Sequence, residues 1–203
     1  MTFKVSKVEG EPRYDSLPVA KITDYPLEQR DYKPFAQVSM CVSERFLHLR
    51  MWAFEVNPQP ESGLEAVLYL FRDEPDTALA VVAVSDDAES DSSMLLGVFL
   101  LRDGQEQATP KQIERRFCEI LLHPYNGEDL QGVYWGYTVD IPLSLLEEWG
   151  GGLLLNPGDS FPGNFYKICE AEPRPHSGSF FPADFGGNGY LPASCGTMEV
   201  VAY

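Results

Sequence analysis

Three segments of this chain alternate apolar and polar residues with a period of two, and that alternation restricts the folds open to it. In "FAQVSMCVS", Ala36, Val38, Met40 and Val42 point one way, and Gln37, Ser39 and Ser43 the other. "RFLHLRMWAFEV" puts Leu47, Leu49, Met51 and Ala53 on one face and Phe46, His48, Arg50, Trp52 and Phe54 on the other. "GVYWGYTVDI" gathers Val133, Trp135, Tyr137, Val139 and Ile141 on one side. Only a pleated strand brings residues i and i+2 to one face, so these segments read as half-buried strands. Trp135 lies mid-row on its apolar face and reads as core. Trp52 shares its face with His48 and Arg50, which makes that face partly wet.

The runs "LEAVLYLFR", "ALAVVAVS" and "MLLGVFLLR" are short, apolar and bounded by acids, Pro or Gly. They read as strands buried on both faces. "TMEVVAY" reads as a closing strand. "DIPLSLLEEWG" has Pro142 for a first turn and Gly150 for an end, and reads as one short helix. In "TPKQIERRFCEILLH", residues 109–123, Ile113, Phe117, Ile120 and Leu121 fit a helix, but Ile113, Phe117 and Leu121 also fit alternation. We read it as helix, with strand left open. With 17 Gly and 16 Pro in 203 residues to make the turns, the expected fold is all-β: a single β-sandwich, jelly-roll-like, with one or two short helices. One domain covers 1–203, with 1–34 as an irregular N-terminal strand and loops packed on it.

The formal net charge of −16 repels phosphate backbones and anionic lipid, so neither nucleic acid nor membrane is expected as a partner. Cys41, Cys118, Cys169 and Cys195 show no zinc-like spacing; Cys41 and Cys169 fall in strand-like stretches and read as buried free thiols. The opening residues lack the apolar core of a signal peptide. The chain therefore reads as cytoplasmic, or as extracellular if a leader was removed. No cofactor is expected. Asp87, Glu89 and Asp91 in "DDAESD" alternate like the start of a calcium loop, but the turn glycine and distal acid are missing. A structural calcium ion elsewhere stays open. Met40, Met51, His48 and His176 are the candidate axial ligands for haem, and nothing in the sequence pairs them. No G-x-S-x-G elbow, phosphate loop or H-E-x-x-H helix occurs, so no enzyme is expected.

The order of three elements carries a family resemblance. "SGLEAVLYLF" is followed by "YWGYTVDIPLSLL" and then by "NFYKICEAEPRPHSGSFFP". Over roughly 35–203 this resembles the family 9 carbohydrate-binding modules and their bacterial relatives, with their I-P-x-x-L and N-F-Y-K elements. The resemblance implies a sugar-binding β-sandwich. It makes Glu65 the strand glutamate and Asn164 to Lys167 the N-F-Y-K element, with His176 and Phe180 where the family has His and Trp. Ser62 stands where an aspartate is common, and Phe180 or Phe181 replaces the tryptophan.

The residues give this implication independent support. A sugar ring offers an apolar face to an aromatic side chain and a rim of hydroxyls to polar groups. The reach from 161 to 190 contains both kinds of partner. Glu65, Asn164, Lys167, His176, Phe180 and Phe181 are therefore the expected ligand-binding residues. One of the two phenylalanines anchors the segment. The other lines a concavity with His176, Lys167 and Asn164. Plain structural readings stand beside this: Phe161 and Phe165 as core, His176 as a loop residue bonded to backbone, Glu65 as an exposed strand-end acid. Lys167 shares the parity of Phe165 and Cys169, and is expected to snorkel to the rim. The expected function is a non-catalytic carbohydrate-binding domain, the sugar unspecified. The alternative is a cytosolic protein-interaction or scaffold domain that kept the fold and has a protein partner instead.

Overall fold

The computed structural model describes residues 1–31, 33–55, 58–59, 61–85, 94–107, 116–130 and 132–203. Among them lie thirteen strands: β1 (Thr2–Lys7), β2 (Ala20–Ile22), β3 (Phe35–Val42), β4 (Phe46–Phe54), β5 (Gly63–Leu68), β6 (Thr77–Ser85), β7 (Met94–Arg102), β8 (Gln105–Gln107), β9 (Leu121–Asp129), β10 (Gly132–Pro142), β11 (Ser160–Cys169), β12 (His176–Ser179) and β13 (Gly196–Ala202). One helix, α1 (Leu143–Gly150), follows β10. The all-β class is as expected. The strands form one curled mixed sheet in the order β8-β7-β6-β5-β11-β13-β1-β3-β4-β10-β9, with β12 beside β11 and β2 beside β3.

The sheet has two wings. β5 to β8 and β11 make one, β3, β4, β9 and β10 the other, and the parallel pair β1–β13 joins them. β1 is therefore an interior strand, and β13 lies mid-ladder between β11 and β1. The wings bury their inner faces in a common core. Val38, Met40, Leu49, Met51, Tyr137 and Val139 come from one wing, and Leu64, Ala66, Leu79, Val81 and Phe165 from the other. The Tyr137 hydroxyl lies 2.9 Å from the Met51 sulfur and 3.3 Å from the Leu64 carbonyl across the core.

Alternation is obeyed where one wing face is covered and the other is open. Leu47, Leu49, Met51 and Ala53 are wholly buried, while Arg50, Trp52 and Phe54 are half-buried. β5 is buried on both faces, as expected. β7 is not: Val98 and Leu101 are buried, but Leu96, Phe99 and Leu100 are half-buried. It lies next to the short edge strand β8, where fewer neighbours cover it.

The helix expected over 109–123 is corrected in its described part. Residues 108–115 lie outside the described residues, Phe117–Glu119 make a single 3-10 turn, and Leu121 begins β9. Nine residues of antiparallel pairing with β10 outweigh the helical period. The "DDAESD" stretch also lies outside the described residues. α1 forms where expected, burying Leu145, Leu146 and Trp149, and ends at Gly151, whose φ of 77° suits a glycine.

Tyr137→Phe should remove the hydroxyl between the wings without leaving a large cavity. We expect a loss of about 0.5–1.5 kcal/mol, read as a lower urea midpoint with an unchanged slope.

Candidate functional site

β11 carries most of the residues that the sequence singles out, and its alternation separates them. Phe165, Lys167 and Cys169 face inward; Asn164 and Tyr166 face outward, because residues three apart in a strand lie on opposite faces. Asn164 is completely buried. Its amide nitrogen donates to the carbonyls of Phe181 (2.9 Å) and Ser194 (2.8 Å). Its amide oxygen accepts from the backbone N–H groups of Phe165 and Phe181, both at 2.9 Å. All four hydrogen-bonding positions of the amide are filled. Asn164 thus clasps the two ends of the segment 181–194.

That segment covers the outer face of β5 and β11. Tyr69 Oη donates to the Tyr190 carbonyl (2.8 Å), Tyr166 Oη to the Gly189 carbonyl (2.6 Å), and Tyr190 Oη to Glu65 Oε2 (2.6 Å). Glu65 is buried here rather than exposed at a strand end. Burial pushes its carboxyl above the usual range, against the Tyr190 bond and the Lys167 charge. Phe181 is buried against Gly196. Phe180 is half-buried, with its ring against Phe3, Phe165 and Phe181.

Lys167 does not snorkel. It is wholly buried, and its ammonium meets three acceptors: Ser62 Oγ at 2.6 Å, His176 Nε2 at 2.9 Å and Glu55 Oε2 at 3.3 Å. Ser62 Oγ donates to Glu55 (2.8 Å), as does Trp135 Nε1 (3.1 Å), and the ammonium lies 5.6 Å from the Trp135 ring centre. His176 belongs to β12, not to a loop, and its Nδ1 is 2.9 Å from the Arg174 carbonyl. That carbonyl only accepts, so Nδ1 carries the proton and Nε2 accepts from Lys167. Burial, helped by the Lys167 charge, holds the His176 imidazole down at about 4. Burial also pulls the Lys167 ammonium down, against the attraction of Glu55. Burial pushes Glu55 up, but Lys167, Ser62 and Trp135 outweigh it and keep the carboxyl below its ordinary value.

The six expected residues therefore do not line one concavity. Lys167 and His176 belong to a closed ionic cluster on the inner side. Asn164 and Glu65 hold the segment over the outer side, and Phe180 and Phe181 pack at its start.

An open cleft lies elsewhere, on the outer face of the other wing. Its aromatic walls are Tyr14, Trp52, Phe54 and Tyr134, its polar groups Gln37, Arg50, Asp15 and Asp129, and its volume about 230 Å³. Register builds it. Gln37, Trp52, Gly136 and Tyr125 form one row across β3, β4, β10 and β9; Phe35, Phe54, Tyr134 and Gly127 form the next. Each row sets a glycine beside large rings, which lets neighbouring groups pack closely against the strand: the Tyr134 ring lies over Gly127. Gly136 has no room for a side chain: a Cβ there would stand 2.2 Å from the Met51 carbonyl oxygen. Arg50 lies among three rings, with its guanidinium carbon 5.5 Å from Tyr14, 5.2 Å from Trp52 and 5.4 Å from Tyr125. The sequence signal was the outward side of β4, where arginine and tryptophan alternate.

No protein-family model and no curated protein matches the sequence. Solved structures do match. A candidate carbohydrate-binding protein from Bacteroides uniformis aligns over 98% of both chains at 16% identity, with a TM-score of 0.63. A family 9 carbohydrate-binding module from Caldicellulosiruptor kristjanssonii, in complex with glucose, covers all of this chain and 97% of its own at 12% identity and a TM-score of 0.57. The module in complex with cellotriose gives 12% and 0.55, over 100% and 95% of the two chains. This chain has a family 9 carbohydrate-binding-module-like fold.

Within this family-9-like fold one further constellation resembles catalytic machinery. His48 Nδ1 is 2.7 Å from Asp140 Oδ1, and His48 Nε2 is 2.9 Å from Ser43 Oγ. Ser43 and His48 are buried, and Ser43 Oγ also accepts from the backbone N–H groups of Phe46 (3.2 Å) and Arg45 (3.4 Å). That arrangement fixes the turn between β3 and β4. Among the described residues no group of three or more His, Cys, Asp or Glu is placed to hold a metal ion.

Two outcomes are expected for the ionic cluster. Lys167→Met leaves Glu55 buried without its partner and should cost about 3–5 kcal/mol; adding Glu55→Gln should recover part of that loss, as a double-mutant cycle in urea would read. For pH, the folded state holds His176 near 4 against an ordinary 6.5. The unfolded chain therefore binds the extra proton first, and stability falls as pH drops from 6.5 toward 4, by at most about 1.4 kcal/mol per pH unit. Glu55, also held low, adds acid sensitivity of the same sign. In His176→Gln the decline in melting temperature from pH 6.5 to 4.5 should be shallower than in the parent protein.

Proposed function

We propose that this protein is a non-catalytic carbohydrate-binding domain, and that its sugar binds in the cleft formed by Trp52, Tyr134, Phe54 and Tyr14. The observation that carries this reading is the juxtaposition, in one depression, of half-exposed rings with an amide, a guanidinium and two carboxylates. A pyranose needs both: a flat apolar partner for its C–H face, and donors and acceptors for its hydroxyls. The neighbours that bind glucose and cellotriose support carbohydrate as the class of ligand. The curled sheet would serve as the equivalent of a jelly-roll sandwich, a rigid platform that sets ring spacing through strand register.

This reading moves the sugar away from the six residues first expected to hold it. Asn164, Lys167 and His176 would act on the ligand only by holding the scaffold. The test is isothermal calorimetry against a panel of oligosaccharides with two variants. Trp52→Ala should weaken binding at least tenfold, about 1.4 kcal/mol, while thermal stability changes little because the ring is half-exposed. Asn164→Ala should lower stability by about 2 kcal/mol or more, since buried backbone groups lose their partners, and should leave affinity nearly unchanged at temperatures where the variant is folded. Binding that survives Trp52→Ala and Tyr134→Ala alike would remove the cleft as the site.

A further inference from the structure

Arg50 is a half-buried arginine that no carboxylate closes; among the described residues Arg13 and Arg45 also lack an ion pair, but both are exposed. Arg30, Arg72 and Arg116 each meet a carboxylate within 3.3 Å, from Glu28, Asp159 and Glu119, and Arg102 is closed by Glu74. Arg50 has Asp15 at 3.9 Å, beyond hydrogen-bonding distance, and that side chain is fully exposed. Its Nε reaches Tyr125 Oη at 3.4 Å. Among the described residues, neither of its terminal nitrogens donates a hydrogen bond.

The three rings around the guanidinium restrict where it can turn, so much of the side-chain entropy is lost before any ligand arrives. What remains is a fixed, planar fork with open donors, about one-third exposed, on the floor of an aromatic cleft. A planar oxyanion matches that fork with two parallel charge-assisted bonds, roughly twice as strong as neutral ones. Trp52, 5.2 Å from the guanidinium carbon, offers a surface for the ring that carries such a group. Gln37, in register with Trp52, offers a donor and an acceptor for its hydroxyls.

We propose that the sugar unit in the cleft is acidic, a uronate, with its carboxylate on Arg50. This rests on the reading of the cleft as the sugar site. Exposed charges beyond about 8 Å are screened at physiological ionic strength, so the carboxylates that oppose an anion here are the two of the cleft itself, Asp15 and Asp129. Asp15 must turn aside, which costs little for a fully exposed side chain.

The test is calorimetry with matched pairs: trigalacturonate against galactotriose, and a glucuronate-substituted xylo-oligosaccharide against the unsubstituted one. The readout is the ratio of acidic to neutral affinity. In the parent protein at least one pair should give a ratio above ten, falling with added salt. Arg50→Gln should lower that ratio about tenfold, and Arg50→Lys, which keeps charge but loses the fork, should fall between. Asp15→Asn, at a fully exposed position, should raise it, and decides the matter if substitution of Arg50 prevents folding. Neutral members binding as well as acidic ones, with loss on Trp52→Ala, would overturn the acidic ligand and keep the sugar cleft. If neither member of either pair binds, the sugar cleft itself is overturned.

Discussion

Lys167 and Glu55 meet 3.3 Å apart where both side chains are buried, at the place where the chain passes from one wing of the sheet to the other. Glu55 follows the end of β4, and Ser62 stands just before β5. Lys167 comes from β11, Trp135 from β10 and His176 from β12. Five elements thus converge on one ammonium and one carboxylate. An isolated charge here would cost several kcal/mol, so each group makes the position of the others necessary. The cluster contributes less as net attraction than as a constraint: few arrangements of the two wings satisfy three donors of Lys167 at once. Its low-lying imidazole and carboxylate also make this cluster sensitive to acid.

This constraint bears on the outer surface. Phe54 immediately precedes Glu55, and Tyr134 precedes Trp135, so on this wing the two residues sent into the cluster each have a neighbour in the cleft. Fixing Glu55 and Trp135 inside fixes the spacing of Phe54 and Tyr134 outside. A platform of rings held from behind by an ionic cluster is preorganised in the sense that matters for weak ligands such as sugars, whose binding leaves little margin for reordering side chains.

Much of the architecture was legible because alternation is a local property. The inward rows of β3, β4 and β10 follow from it directly, and α1 follows from its proline, its apolar spacing and its glycines. The site was less legible. Asn164 and Lys167 look adjacent in "NFYK", yet a strand places them on opposite faces; the alternation used for the core, applied to this motif, separates them. The clasp by Asn164 depends on partners 17 and 30 residues away, and the closing of the cluster on the pairing of Glu55 with Lys167, which no local pattern encodes. The cleft was half legible. The outward face of β4 was recognisably wet and aromatic, but its other walls come from Tyr14, Asp129 and Tyr134, which register and loops bring from elsewhere in the chain. The first residues of β9 were misread for a related reason, since an apolar period can be shared by helix and strand until a pairing partner decides.

Besides the bridge between Asp24 and Ser179, the described ladder joins the two wings through the pair of β1 with β13, whose side chains meet across 195 positions of sequence, as in the bond between Lys4 and Glu199. Each wing can form its own hairpins early, from neighbours close along the chain. The joint between them must wait until β13 has left the ribosome. Until then the sheet has two open interior edges, one on β11 and one on β1. Parallel pairing at such separation carries a large loop-closure cost and forms slowly. For a nascent chain this joint is the last of the long-range pairings that can form, after those of β4 with β10 and β5 with β11.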